Sequence, residues 1–261
     1  MLKFFDSHCH LQLSQFDTDR EVVLTRMQEQ EMGGVVVGTD LATSKAAVEL
    51  AEKHDFLFTS VGLHPNDNLE EEFDMSAFEA LTTHPKVVAI GECGLDYFRS
   101  GGTQEEKLAQ QKRFEAQIEL AARTDKTLII HCRNAHDDML ALLKEYRKGS
   151  GAETRVVIHF FTGSGELAKQ YLELGCFLSF PGPITYTDMY DESIRVAPLD
   201  RMLSETDSPF AAPVPFRGKR NEPVYVAHVV AKIAAIKNLS VEEVAAQIVK
   251  NSQKAFRIAV A

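Results

Sequence analysis

Phe4-Phe5-Asp6-Ser7-His8-Cys9-His10 closes a short apolar run with two imidazoles two residues apart. Side chains of an extended backbone alternate faces with a period of two, so His8 and His10 point the same way and can share one metal ion. Cys9 then takes the opposite face, which makes its thiol a packing group rather than a ligand. A single His-x-His at a strand end is as readily a solvated terminus as a ligand pair, so the weight lies in how often such strand ends recur.

They recur along the whole chain. Short apolar, β-branched runs occupy residues 2–7, 34–38, 56–62, 87–91, 127–131, 155–159, 176–180 and 201–206. Between them apolar residues fall three and four apart, as in Val22, Val23 and Met27, in Leu108, Phe114, Ile118 and Ala121, and in Val226, Val229, Val230 and Ile233. A last helical pattern opens at Ser240 with Glu243 three residues on, a capping box. Alternating strand and helix means parallel strands, because each helix returns the chain to the same end of the sheet. Runs such as Val35-Val36-Val37 and Leu128-Ile129-Ile130 are apolar on both faces, as strands covered by helices must be. Eight such units in 261 residues fit one (β/α)8 TIM barrel spanning 1–261. An open doubly wound sheet is the rival, but the first strand lacks the Gly-x-Gly-x-x-Gly turn that such a fold uses for dinucleotides.

Composition narrows the chemistry. With 44% hydrophobic and 25% charged residues the chain reads as a soluble globular protein, and no apolar stretch approaches a membrane span. A net charge of −10 argues against coating nucleic acid by bulk electrostatics, so a polyanion must be attracted locally. Cys9, Cys93, Cys132 and Cys176 are dispersed and form neither a disulfide framework nor a zinc knuckle. With no signal-peptide pattern either, the expected location is the cytoplasm, and no obligate protein partner is expected of what reads as a monomer.

In a barrel of this kind the active site lies where the strands end. Those ends carry His8, His10, His64, Glu92, His131, His159 and Asp207. Alternation puts His131 on the face of Ile129 and sends Cys132 to the other, and separates Glu92 from Cys93 in the same way. Four imidazoles and two carboxylates can hold two divalent ions: His8, His10 and Asp207 on one, His131 and His159 on the second, with Glu92 bridging. A structural zinc site is normally closed by four ligands and usually includes cysteine, so an open, carboxylate-bridged site reads as catalytic.

Seven ordered motifs then resemble those of the TatD family, metal-dependent deoxyribonucleases of the amidohydrolase superfamily. They are Phe5-Asp6-Ser7-His8-Cys9-His10, Gly62-Leu63-His64-Pro65, Gly91-Glu92-Cys93-Gly94-Leu95-Asp96-Tyr97, His131-Cys132-Arg133, His159-Phe160-Phe161-Thr162-Gly163, Glu205-Thr206-Asp207-Ser208-Pro209 and Arg217-Gly218-Lys219-Arg220-Asn221-Glu222-Pro223. The resemblance implies a TIM barrel in which His8, His10, Glu92, His131, His159 and Asp207 are the metal-binding positions. Cys93 and Phe160 depart from the family pattern beside ligands without being ligands.

The expected activity is hydrolysis of DNA phosphodiesters, in exonucleolytic fashion, by a water acidified between two ions of zinc, manganese, magnesium or cobalt. Asp207 is the expected proton acceptor and Glu92 the second catalytic carboxylate. His64, Arg133, Arg217, Lys219 and Arg220 are the expected contacts to substrate phosphate. Glu205 and Asp6 are read as supports, Asp96 as a substrate contact or loop cap, and Tyr97 and Tyr225 as packed rings before stacking ones. The alternatives are a metal hydrolase of small esters, lactones or amides, and a non-catalytic binding barrel.

Overall fold

Each of the eight apolar runs forms a strand. A computed structural model describes residues 2–66, 72–99, 103–149 and 153–259. The strands are β1 (Phe4–Cys9), β2 (Met32–Val37), β3 (Leu57–Val61), β4 (Val87–Asp96), β5 (Thr127–Arg133), β6 (Val156–Ile158), β7 (Phe177–Phe180) and β8 (Met202–Ser204). They lie parallel in chain order in one eight-stranded sheet. The chain beyond β8 meets β1 through a parallel bridge between Cys9 and Ser208, giving a (β/α)8 barrel. Helices α1 (Arg20–Glu29), α2 (Leu41–Glu52), α3 (Met75–Thr82), α4 (Gln104–Thr124), α5 (His136–Lys148), α6 (Gly165–Glu173) and α7 (Asp191–Val196) fill the crossovers. Two more, α8 (Val226–Lys237) and α9 (Val241–Phe256), follow β8. Among the described residues no single helix is long and apolar enough to cross a membrane.

The side-chain period of the strands sorts them into two cores. Phe5, Val35, Val37, Ile129, Val157 and Leu203 belong to one buried cluster, with Val249 and Phe256 of α9. Leu128, Ile130, Val156, Ile158 and Met202 alternate with them and pack into the larger cluster that includes Phe114, Ile118, Leu143 and Ile233 of the helices. His131 therefore shares a face with Ile129, and His159 with Val157.

The alternation breaks at two places that matter. Phe5 belongs to the first cluster, whereas Cys9, four residues on, packs with the helices against Val23 and Val36. The register to β2 shifts between Asp6 and Cys9, an irregularity of the kind that re-aims side chains. A second shift, between Ile90 and Cys93, lets β4 run to Asp96, five residues beyond its expected end.

Candidate metal centre

The seam of the barrel builds half of the site. Asp207 N donates to His8 O at 2.9 Å and His10 N to Ser208 O at 2.8 Å, so the bonds that close β1 on the chain after β8 also hold His8, His10 and Asp207 together. Their side chains converge. The Nε2 atoms of His8 and His10 are 3.2 Å apart, and Asp207 Oδ1 lies 3.3 Å from His10 Nε2 and 3.7 Å from His8 Nε2.

Glu92 of β4 joins this half to the other. Its Oε2 is 3.2 Å from His8 Nε2 and 3.8 Å from His10 Nε2. Its Oε1 is 2.9 Å from His131 Nδ1, 2.9 Å from His159 Nε2 and 3.5 Å from His64 Nε2. One buried carboxylate thus faces five imidazoles, with each oxygen turned to a different group.

The outer partners decide which ring nitrogen carries hydrogen. His10 Nδ1 lies 2.8 Å from Val37 O, a carbonyl that only accepts, so a neutral ring presents the Nε2 lone pair to the centre. His159 Nδ1 lies 3.1 Å from Glu205 Oε1, and His131 Nε2 lies 3.0 Å from Asp96 Oδ2. These pairs likewise leave His159 Nε2 and His131 Nδ1 aimed at Glu92. His64 differs: its Nδ1 accepts from Asn66 N at 3.1 Å, which makes its Nε2 a donor.

Lone pairs and carboxylate oxygens packed at such distances repel unless positive charge lies among them. The ionisations express that demand. Burial pushes His8 below its ordinary pKa, whereas for His159 the carboxylates of Glu92 and Glu205 outweigh burial and raise it well above. Burial would raise Asp207, but the His10 hydrogen bond and the neighbouring imidazoles hold it below the usual range. Protons or divalent cations can supply the missing charge, and buried imidazole nitrogen with carboxylate oxygen is a donor set suited to zinc, manganese or cobalt. Donor atoms lie within 4.8 Å of one another in His8, His10 and Glu92, in His64, Glu92 and His131, and in His8, His159 and Glu205. The residues fit a metal centre.

A family description, TatD related DNase, matches residues 5–257. The chain belongs to the TatD family. It is 41% identical over 259 residues to the uncharacterised metal-dependent hydrolase YabD of Bacillus subtilis, covering 97% of this chain and 99% of that one. It is 34% identical over 266 residues to the Klebsiella pneumoniae protein named 3′-5′ ssDNA/RNA exonuclease TatD, covering 97% and 98%. The crystal structure of YjjV, a TatD homologue of Escherichia coli, superposes with a TM-score of 0.89 at 30% identity, covering 98% and 99%. This chain is accordingly a metal-dependent hydrolase of the TatD family.

Within this TatD-family barrel, a cavity of about 640 Å³ opens over the cluster. His10, His64, Glu92, His131, Arg133, His159 and Asp207 line it; Arg217, Lys219 and Arg220 do not. Arg217 lies on the ring of Tyr186, a lining residue, with its guanidinium carbon 4.3 Å from the centroid. Lys219 is exposed. Arg220 turns away: its Nη1 and Nη2 reach the two oxygens of Asp19 at 2.7 and 2.6 Å, and Nη2 reaches Glu222 Oε1 at 3.1 Å. Through these charge-assisted bonds Arg220 clasps the loop after β8 to the start of α1. Tyr97 donates its hydroxyl to Asp138 and Tyr225 stacks on Phe216, so both are packed rings.

Asp6 and Asp96 hold roles that alternation did not reveal. Asp6, read as a support, spans the seam, accepting from His8 N, Thr206 N and Thr206 Oγ1; burial pushes its carboxyl up to about 8. Asp96 braces His131 with one oxygen and accepts from Phe98 N and Arg99 N with the other. Burial opposes its charge, but the His131 bond and the loop amides hold it down at about 2. Carboxylates that orient ligand histidines are worth about 10–100-fold in metal affinity or activity. Asp96→Asn should therefore weaken metal binding by about that factor in a titration, with a cooperative melt retained; unchanged affinity would leave Asp96 a loop cap only.

Proposed function

We propose that this hydrolase cleaves DNA phosphodiester bonds from a strand end, using two divalent ions of zinc, manganese, magnesium or cobalt. The observation that carries the reading is the position of Glu92, one oxygen toward His8 and His10 and the other toward His131 and His159. That placement supports His8, His10 and Asp207 as ligands of one ion, His131 and His159 as ligands of the other, and Glu92 as the link. Bound there, divalent ions supply Lewis acidity to a phosphoryl oxygen and a water nucleophile near neutral pH.

The chain's own groups do the rest. Asp207 stands at the cavity wall with its carboxyl held ionised, so it can orient the attacking water and take its proton. His64 offers its Nε2 hydrogen to a non-bridging oxygen. Arg133 lines the cavity, Arg217 lies on the lining residue Tyr186, and the exposed Lys219 follows two residues on, which gives an acidic chain local positive charge for a phosphate. The Klebsiella relative's name, with its single-stranded DNA and RNA, points the same way.

The test compares a labelled single-stranded oligonucleotide with a panel of small esters and lactones, each with metal and with chelator. The expected result is metal-dependent shortening of the oligonucleotide that chelation abolishes and added metal restores. Protein loaded with metal that hydrolyses an ester and leaves DNA intact would transfer the site to carbon chemistry.

A further inference from the structure

Two aromatic rings stand in water beside the cavity: Phe98 is 59% exposed and Phe210 48%. Both are tethered to the cluster beneath them. Phe98 N donates at 2.9 Å to the same Asp96 carboxylate that braces His131. Phe210 N donates to Asp207 O at 2.9 Å, and the Asn221 side-chain amide holds Phe210 O at 2.6 Å. The rings come from opposite walls, since Phe98 follows β4 and Phe210 follows β8, four strands apart in the eight-stranded sheet. Guanidinium groups lie on rings at the same mouth. Arg133 sits 3.8 Å over the Phe98 centroid, as Arg217 sits over Tyr186.

A ring that hydrogen-bonded turns hold out in water is unfavourable surface until a ligand covers it. An aliphatic ligand would gain as much from leucine or valine. Flat rings paired with flat cations suit a flat π-system attached to negative charge, which describes a nucleobase on its phosphate. We infer that Phe98 with Arg133 on one wall, and Phe210 on the other, are stacking platforms for the unpaired bases flanking the phosphodiester at the cavity floor. This inference rests on the nuclease reading and names residues that would account for the single strand in the Klebsiella relative's name: a base in a duplex has its faces covered by its neighbours and cannot reach either platform without leaving the stack. The cavity, about 640 Å³, is also the size of a small-ligand pocket, suited to a strand end.

The experiment measures kcat/KM with metal-loaded enzyme on an oligothymidine, on a strand of equal length and charge built from abasic residues, and on a blunt duplex. One stacked base is worth about tenfold, ~1.4 kcal/mol, so two platforms predict a preference of about 100-fold for the base-bearing strand over the abasic one. Phe98→Ala and Phe210→Ala should each lower that ratio about tenfold. Arg133→Lys should lower it as well, because it keeps the charge and loses the plane. Melting curves check that the exposed-ring variants remain folded. Equal kcat/KM for base-bearing and abasic strands, or a duplex cut as fast as the single strand, overturns the platforms and leaves the nuclease reading standing. No cleavage of any of the three with magnesium, manganese, cobalt or zinc overturns both.

Discussion

Glu92→Gln is expected to lower kcat by about 1000-fold, roughly 4 kcal/mol of barrier, at saturating substrate and metal. The size follows from its neighbours: a single carboxylate lies within 3.8 Å of His8, His10, His64, His131 and His159. Burial alone would raise its pKa, but the surrounding imidazoles, His159 foremost, hold it well below the ordinary 4.5. It is therefore charged throughout the neutral range. The sign for stability follows: a depressed carboxyl contributes stability above its unfolded pKa and loses it as pH falls through the folded one. Glutamine keeps the shape and loses the charge, and its amide nitrogen has no lone pair to offer a cation. Metal content should fall together with kcat, and added metal should no longer give the rise in melting temperature expected of wild type, where ligand binding at 100 times Kd stabilises by about 2.7 kcal/mol. A Glu92→Gln protein that keeps full metal content and wild-type kcat would remove Glu92 from the centre of the site.

The barrel was legible because its signal is repeated and one-dimensional. Each strand carries its own apolar run, and the eight runs had only to be counted against the helical patterns between them. The candidates that converge on Glu92 could be picked out for the same reason, since each closes a run, and on β5 and β6 the simple alternation that separates Ile129 from Ile130 and Val157 from Ile158 holds in the two cores. What failed was alternation across a register shift. On β1 it gives Phe5 and Cys9 one face, whereas across the shift between Asp6 and Cys9 the two pack into different clusters. On β4 the shift after Ile90 carries the strand on to Asp96, a residue that periodicity could not assign. Arg220 failed differently. Its partner Asp19 lies 201 residues away in sequence, and a basic cluster read along the chain does not show which of its charges is already paired. His64 was found as a strand-end residue, yet only the Asn66 amide on Nδ1 separates it from the neighbouring rings as a donor.

Gly94→Ala should be strongly destabilising, and its effect should reach the metal. Gly94 pairs with His131 in the register of β4 and β5 and has φ +133°, a conformation that side chains rarely adopt. A Cβ there would lie 2.1 Å from His131 O and 3.1 Å from His131 C, so the backbone of β5 must retreat at the residue whose imidazole faces Glu92. Backbone strain joined to a displaced strand is of the class that costs about 3 kcal/mol, which in a chain of this size lowers Tm by about 6–12 °C. Gly175→Ala provides the control. Gly175 also has a positive φ, +76°, but no atom stands within 4 Å of the added Cβ. Its cost is the left-handed backbone alone, about 1–2 kcal/mol, with metal affinity unchanged. Thermal melts and metal titrations of the two variants separate strain from displacement. If Gly94→Ala melts like Gly175→Ala and binds metal like wild type, then the close approach of β4 to β5 does not position His131, and the geometry of the second half of the site must have another source.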